Sequence, residues 1–219
     1  APFLLTDLVN TCKQELPELA LYLREDTTEN LMYQLAQGEI DTVILAVPVP
    51  EHSFQSRVLG RDDFYIAGDK HGVSDSLKAP IVGNGNINNN ESKHEKLSTG
   101  FSESINYQAL PEKSIFLLAN EHCLTQHVLS KCKLADKNLI NPFSASSLAT
   151  LVQMTSYHKG ITFLPEMAVK KGLGEREGLV IEKLSSDLFR EIAMLWRPTS
   201  MRKISFMKIA DIIEKLLLD

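Results

Sequence analysis

Within its first fifty residues the chain alternates helical and strand patterns, and that alternation limits the folds open to it. Leu5, Leu8, Val9, Cys12 and Leu16 recur at helical spacing and stop at Pro17. "LALYLRE" follows as a short strand. "DTTENLMYQLAQG" reads as a second helix, with Asp26 or Thr28 able to cap its start, Leu31 and Leu35 on one face, and Gly38 ending it. "DTVILAV" is an apolar run between turn residues, as expected of a strand covered on both faces. Strands joined through helices imply right-handed crossovers and a largely parallel sheet, so the expected class is α/β.

The texture changes between Pro80 and Pro111. "VGNGNINNNESKHEKLSTGFSESINY" is rich in Asn, Ser, Gly and charge and nearly without periodic apolar residues. A segment of that kind buries too little apolar area to offset its ordering entropy, so a long surface loop, partly disordered, is expected ahead of a binding lid. Order returns with "SIFLLA", a strand from Ser114. "ASSLATLVQMTSYHKG" is a helix capped near Ser146 or Ser147 and closed at Gly160. "ITFLP", "LVIEKL" and "REIAMLW" read as strands, and Phe206, Ile209, Ala210, Ile213 and Leu217 form one face of a terminal helix.

Composition excludes more than it selects. The chain has 219 residues, 43% apolar and 23% charged, which fits one unit with two lobes. No apolar run approaches the roughly 20 residues that cross a bilayer, and no basic, apolar leader marks secretion. Net charge is −5 with no stretch rich in Lys or Arg, so DNA binding by this segment alone is not expected. Three cysteines are too few for a disulfide scaffold and suit a reducing cytoplasm. The chain begins at Ala1, as a fragment of a longer protein would.

Two of those cysteines stand nine positions apart in "EHCLTQHVLSKC", residues Glu121 to Cys132. If a helix begins just after Glu121, nine residues span about 13–14 Å and put its ends on opposite sides. A disulfide needs Cα atoms within about 7 Å, so Cys123 and Cys132 can bond only if that helix melts. That is the geometry of a switch rather than of a static bridge. Two other readings stay open. His122, Cys123, His127 and Cys132 are possible metal ligands, although Cys132 points away and no C-x-x-C or H-x-x-x-H pair is present. Both cysteines can also be small buried hydrophobes, the role expected of Cys12 on its apolar helix face. For reactivity at Cys123, the helix start favours a thiolate and His122 can supply a proton or positive charge, while Glu121 works against the anion.

These residues meet a family pattern. "HCL" with a second cysteine nine positions on, then "ASSLATLVQM", "GITFLP" and "REIAMLWRP", resembles the OxyR branch of LysR-type transcriptional regulators. "PFLL", "LYLRE" and "QLAQGEIDTVILA" extend the likeness to the start, leaving out about 25 residues of the Asn/Ser-rich loop. The cysteine spacing with "HCL" is specific to that branch, whereas "GITFLP" is shared across LysR-type regulators.

The resemblance implies a regulatory region of two Rossmann-like lobes, as in type 2 periplasmic binding proteins, with the chain crossing twice between them. Lobe I would comprise residues 1–66 and 194–219, and lobe II residues 67–193, with the polar insertion at about 82–107. An N-terminal winged helix-turn-helix DNA-binding domain, the family's first strand and a peroxide-binding threonine would precede Ala1. By the same resemblance Cys123 is the peroxidatic cysteine and Cys132 the resolving one, with Thr28 lining the peroxide pocket, His122 preceding the reactive cysteine as part of the thiolate's environment, and Arg190 supporting the thiolate and the leaving oxygen. Read without the family, Thr28 is a helix cap and Arg190 a surface ion-pair residue. Relatives commonly carry Gly where Glu121 stands, and Arg and Asp where Thr125 and Gln126 stand, so the thiolate's surroundings, and with them peroxide sensitivity, are expected to differ.

The resemblance further implies hydrogen peroxide as the signal, control of antioxidant genes as an activator, and a homodimer that becomes a tetramer in the full-length protein. It implies promoter DNA and RNA polymerase as partners, a glutaredoxin- or thioredoxin-type reductant, and no cofactor, metal or membrane. Such a protein is a sensor, not an enzyme. The alternatives are a LysR-type domain that binds a small organic effector between its lobes, and a thiol peroxidase.

Overall fold

The computed structural model of the chain describes residues 2–49, 53–77, 105–119 and 123–218. Helix α1 (Pro2–Glu15) stops before Pro17 as its spacing predicts and buries Leu4, Leu8 and Cys12. The strand expected over "LALYLRE" is absent, because residues 19–27 carry no regular structure. Leu19 and Leu21 lean on the apolar core while Tyr22 and Leu23 face outward. The alternation runs only from Leu19 to Tyr22, and the segment has no ladder partner among the described residues, without which extended chain is not a strand.

Helix α2 (Thr28–Gln37) is capped by Thr27, whose side chain accepts from the Asn30 N–H, rather than by Asp26 or Thr28. Asp26 reinforces the same turn by accepting from the Thr27 N–H at 2.8 Å and from the Asn30 side chain at 2.9 Å. Gly38 closes the helix at φ 80°, a left-handed conformation in which a side chain is strained.

Strand β1 (Thr42–Val47) follows, then two elements the sequence patterns do not announce: the 14-residue strand β2 (Gln55–Gly68) and helix α3 (Lys70–Leu77). A 3-10 turn at Tyr107–Ala109 leads to β3 (Ile115–Leu118), α4 (Cys123–Lys131), β4 (Ile140–Ala145) and α5 (Leu148–Tyr157). Ser147 caps α5, and it is Lys159 at φ 52°, not Gly160, that takes the left-handed turn beyond it. Next come β5 (Ile161–Pro165), the short α6 (Glu166–Val169), β6 (Val180–Lys183), β7 (Phe189–Trp196) and α7 (Lys203–Leu218).

The sheet runs β1-β7-β2-β5-β3-β4, with β6 also on β2. Among the described residues only β3 pairs in parallel, with β4 and β5; the β1–β7, β2–β7, β2–β5 and β2–β6 ladders are antiparallel. The expectation of a largely parallel sheet therefore fails, because β2 runs on from one half of the molecule into the other and pairs antiparallel with β7 in the first and with β5 and β6 in the second. Gln55 to Asp63 pair with β7 and Phe64 to Gly68 pair with β5.

Each half is a three-layer α/β unit. On β7, Ile192, Met194 and Trp196 face a core with Leu8, Cys12, Phe206 and Ile213 from α1 and α7. Ala193 and Leu195 face the opposite way, towards Met32 and Leu35 of α2, which is the period-2 alternation of a two-sided strand. In the other half Phe64, Ile66, Ile161 and Phe163 share a core with Phe116, Leu151 and Cys132, and Ala67 and Leu164 pack on the reverse side. Five apolar residues of α7 are buried, Phe206, Ile209, Ala210, Ile212 and Ile213. The phenylalanine and the three isoleucines are worth about 1.5–3 kcal/mol each when fully buried, so this face fastens the C-terminus.

Most of the polar segment after Pro80 lies in residues 78–104, outside the described residues. Its end is ordered, with Ile105 and Tyr107 packed on the core. Among the described residues, no helix is long and apolar enough to cross a membrane.

Candidate functional site

Cys123 is the first residue of α4, one short connection beyond β3. Glu121 and His122, expected on either side of the helix start, lie outside the described residues. Cys123 is partly exposed and packs against the α1–β1–α7 core. Cys132 follows the last helical residue, and its N–H still donates to the Val128 carbonyl at 2.9 Å. It is 5% exposed and belongs to the other core, with Leu124, Val128 and Leu134. The two sulfurs therefore cap opposite ends of one helix and face separate apolar interiors, and both thiols are free. At 1.5 Å per residue their backbones are about 13–14 Å apart.

Burial, and then the nearby Asp187 carboxylate, push the Cys132 thiol up to about 12. A raised thiol favours the fold below its ordinary value near 9, and that contribution is lost as pH climbs through 9 towards 12. In the reduced protein at pH 8, iodoacetamide should modify Cys123 well before Cys132, because Cys132 is both enclosed and protonated. Mass mapping of the alkylated thiols checks this, and equal labelling of the two would contradict the enclosure.

The remaining predicted residues divide. Thr125 is buried, and its hydroxyl donates to the Leu118 carbonyl at 2.9 Å, stitching α4 to the end of β3. Thr28 opens α2 half-buried, its capping role taken by Thr27. Arg190 is not a surface residue. It is 8% exposed on β7 and donates through Nε and Nη2 to Asp62 Oδ2 at 2.9 and 2.8 Å. Asp62 is its register partner on β2, and the other Asp62 oxygen accepts the Met167 N–H at 3.0 Å.

His127, which the sequence offers as a possible metal ligand, is buried on α4. It lies four residues after Cys123, hence on the same helical face. Burial first, then the charges of Arg190 and Lys131, lower its pKa, against a hydrogen bond with the Ala46 backbone. The imidazole is therefore neutral at pH 7 and ties α4 to β1. Cys132 lies in the other core, so it does not converge with Cys123 and His127. Asp62 carried no signal beyond the run "RDD", since its meaning depends on an arginine 128 residues away.

The chain belongs to the LysR substrate binding domain family, which matches residues 1–74 and 96–211. Within that family it is an OxyR-type regulatory domain. The reduced regulatory domain of OxyR2 from Vibrio vulnificus is 43% identical and superposes with a TM-score of 0.81, covering 99% of this chain and 91% of that one. The DNA-binding transcriptional dual regulator OxyR of Escherichia coli is 26% identical over 213 residues, 97% of this chain and 61% of the relative. The HTH-type transcriptional regulator EstR of Acinetobacter baylyi is 27% identical over 220 residues, 99% of this chain and 64% of the relative. The chain thus spans less than two thirds of the length of these curated relatives.

Proposed function

We propose that the domain senses hydrogen peroxide for a transcriptional regulator and is switched by a disulfide between Cys123 and Cys132. The Cys123 thiolate attacks one peroxide oxygen, the O–O bond breaks, and hydroxide leaves to become water, so the sulfur is oxidised by two electrons to a sulfenic acid. The Cys132 sulfur then attacks that sulfur, the S–O bond breaks, and the hydroxyl departs with the Cys132 proton as water. The observation that supports this reading is the placement of the two thiols at opposite ends of α4, in separate cores. Bridging them requires α4 to unwind and Cys132 to leave its core, which turns a local oxidation into a change of shape.

In this reading Thr28, His122, Glu121, Thr125 and Arg190 set the surroundings of the Cys123 thiolate and the peroxide. Residues 1–66 and 194–219 form lobe I and residues 67–193 lobe II, so unwinding α4 alters how the lobes meet. The full-length protein works as a homodimer or tetramer on promoter DNA through a winged helix-turn-helix. It contacts RNA polymerase to activate antioxidant genes, and a glutaredoxin- or thioredoxin-type reductant resets it. Each turnover ends in the disulfide until that reductant acts, so the domain is a sensor rather than an enzyme.

A brief micromolar peroxide pulse followed by peptide mapping tests the proposal. A Cys123–Cys132 linkage with Cys12 still reduced is expected, and unlinked thiols in folded, treated protein would reject it. Sustained peroxide turnover with a reductase would point to a thiol peroxidase instead. The second reading is a small organic effector. It is favoured by the EstR likeness and by a cavity of about 390 Å³ lined by Phe3, Leu4, Asp7, Arg61, Lys170 and Leu217. A ligand-dependent thermal shift that survives replacement of both Cys123 and Cys132 by serine would support it.

A further inference from the structure

Resting on the switch reading, we infer that Tyr107 is a latch on the resolving cysteine and sets the pace of the second chemical step without touching the first. The Tyr107 hydroxyl donates to the Cys132 main-chain carbonyl at 2.5 Å. That carbonyl belongs to the end of α4, where the last C=O groups of a helix have no partner within it. A buried carbonyl without a donor is costly, and the phenol supplies one. The ring packs on the same core that encloses Cys132 and Leu134.

The latch stands on firm ground. Tyr107 begins the 3-10 turn, Leu110 donates back to the Tyr107 carbonyl at 3.2 Å, and the Asn106 N–H donates to Ser76 of α3 at 2.8 Å. Leu110 and Ser76 are buried. Tyr107 therefore has a fixed position, and Cys132 leaves its core only by giving up two hydrogen bonds, one to Tyr107 and one from its own N–H to Val128. Cys123 lies at the far end of the helix against the other core. Attack on peroxide happens there with the latch closed, while capture of the sulfenic acid waits for the latch to open. Tyr107 is a positioning residue in this scheme, since its hydroxyl meets no reacting atom.

Tyr107→Phe removes the hydroxyl and keeps the ring. In the 219-residue chain with all three cysteines, rapid quenching with a dimedone-type probe would follow the sulfenic acid, and mass mapping the disulfide. Sulfenic acid should form at Cys123 at the unsubstituted rate. Its conversion to the disulfide should run about fivefold faster, the factor a single neutral hydrogen bond contributes. The disulfide midpoint should fall by about 20 mV, that fivefold factor expressed for a two-electron couple, because only the reduced form loses a contact. Tyr107→Met, which also lacks the hydroxyl, carries the same expectation should the phenylalanine variant fold poorly. Equal second-step rates in both chains, or an equal acceleration of both steps, would overturn the latch and leave the switch standing. Absence of any Cys123–Cys132 linkage in the unsubstituted chain would overturn both.

Discussion

Asp62→Ala should destabilise the reduced domain by about 3–5 kcal/mol, read from urea denaturation, because it strands a buried guanidinium. Asp62 is 2% exposed and uses both oxygens, one for Arg190 and one for the N–H of Met167 at the start of α6. Alanine leaves Arg190 charged and unpaired in the interior and the Met167 N–H without its acceptor. Asp7→Ala is the control: its pair with Lys171 spans 2.6 Å but both side chains are at least 41% exposed. Solvent screens such a pair, so its loss should cost no more than about 1 kcal/mol. Equal losses for the two variants would mean that Arg190 finds water or another partner, and the burial argument would fail. Replacing Asp62 and Arg190 together by apolar residues should recover much of the loss, since the expensive state is the half-broken pair.

Cys132→Ser should abolish the intramolecular disulfide while leaving the first oxidation intact. After a peroxide pulse the serine chain should accumulate sulfenic acid on Cys123, which then moves to sulfinic acid as peroxide is raised. The helix content of α4 should persist through the treatment, because nothing pulls its C-terminal end from the core. The unsubstituted chain should lose part of its far-UV helical signal under the same pulse. If the serine chain lost the same signal, oxidation of Cys123 alone would drive the rearrangement, and the resolving role of Cys132 would fall.

Much of the architecture was legible because local patterns and caps are local. The apolar rows of α1 and α7, the Gly38 stop and the Ser147 cap depend on neighbours within one or two turns. Strand β2 was not legible: "QSRVLGRDDFYIAG" breaks its apolar run with Gly60 and three consecutive charges, and the charges make sense only against β7 and β6. The antiparallel course of the sheet was hidden for the same reason, since strand direction is fixed by which distant segment pairs. "LALYLRE" shows the converse error, a strand-like composition with nothing beside it. At the site, the cysteine spacing and the helix between them announced themselves. Asp62 and Tyr107 did not, and His127 was legible only as a possible metal ligand, because each acts through a partner far along the chain, Arg190, Cys132 and Ala46 respectively.

Strand β2 gives its first nine paired or bulged positions to one ladder and its last five to another. The two halves of the molecule are thus joined by continuous backbone that is hydrogen-bonded on both sides of the junction, with no slack linker in between. In the proposed switch, a pull on the end of α4 would therefore act on two units that share one strand rather than on units joined by loose chain.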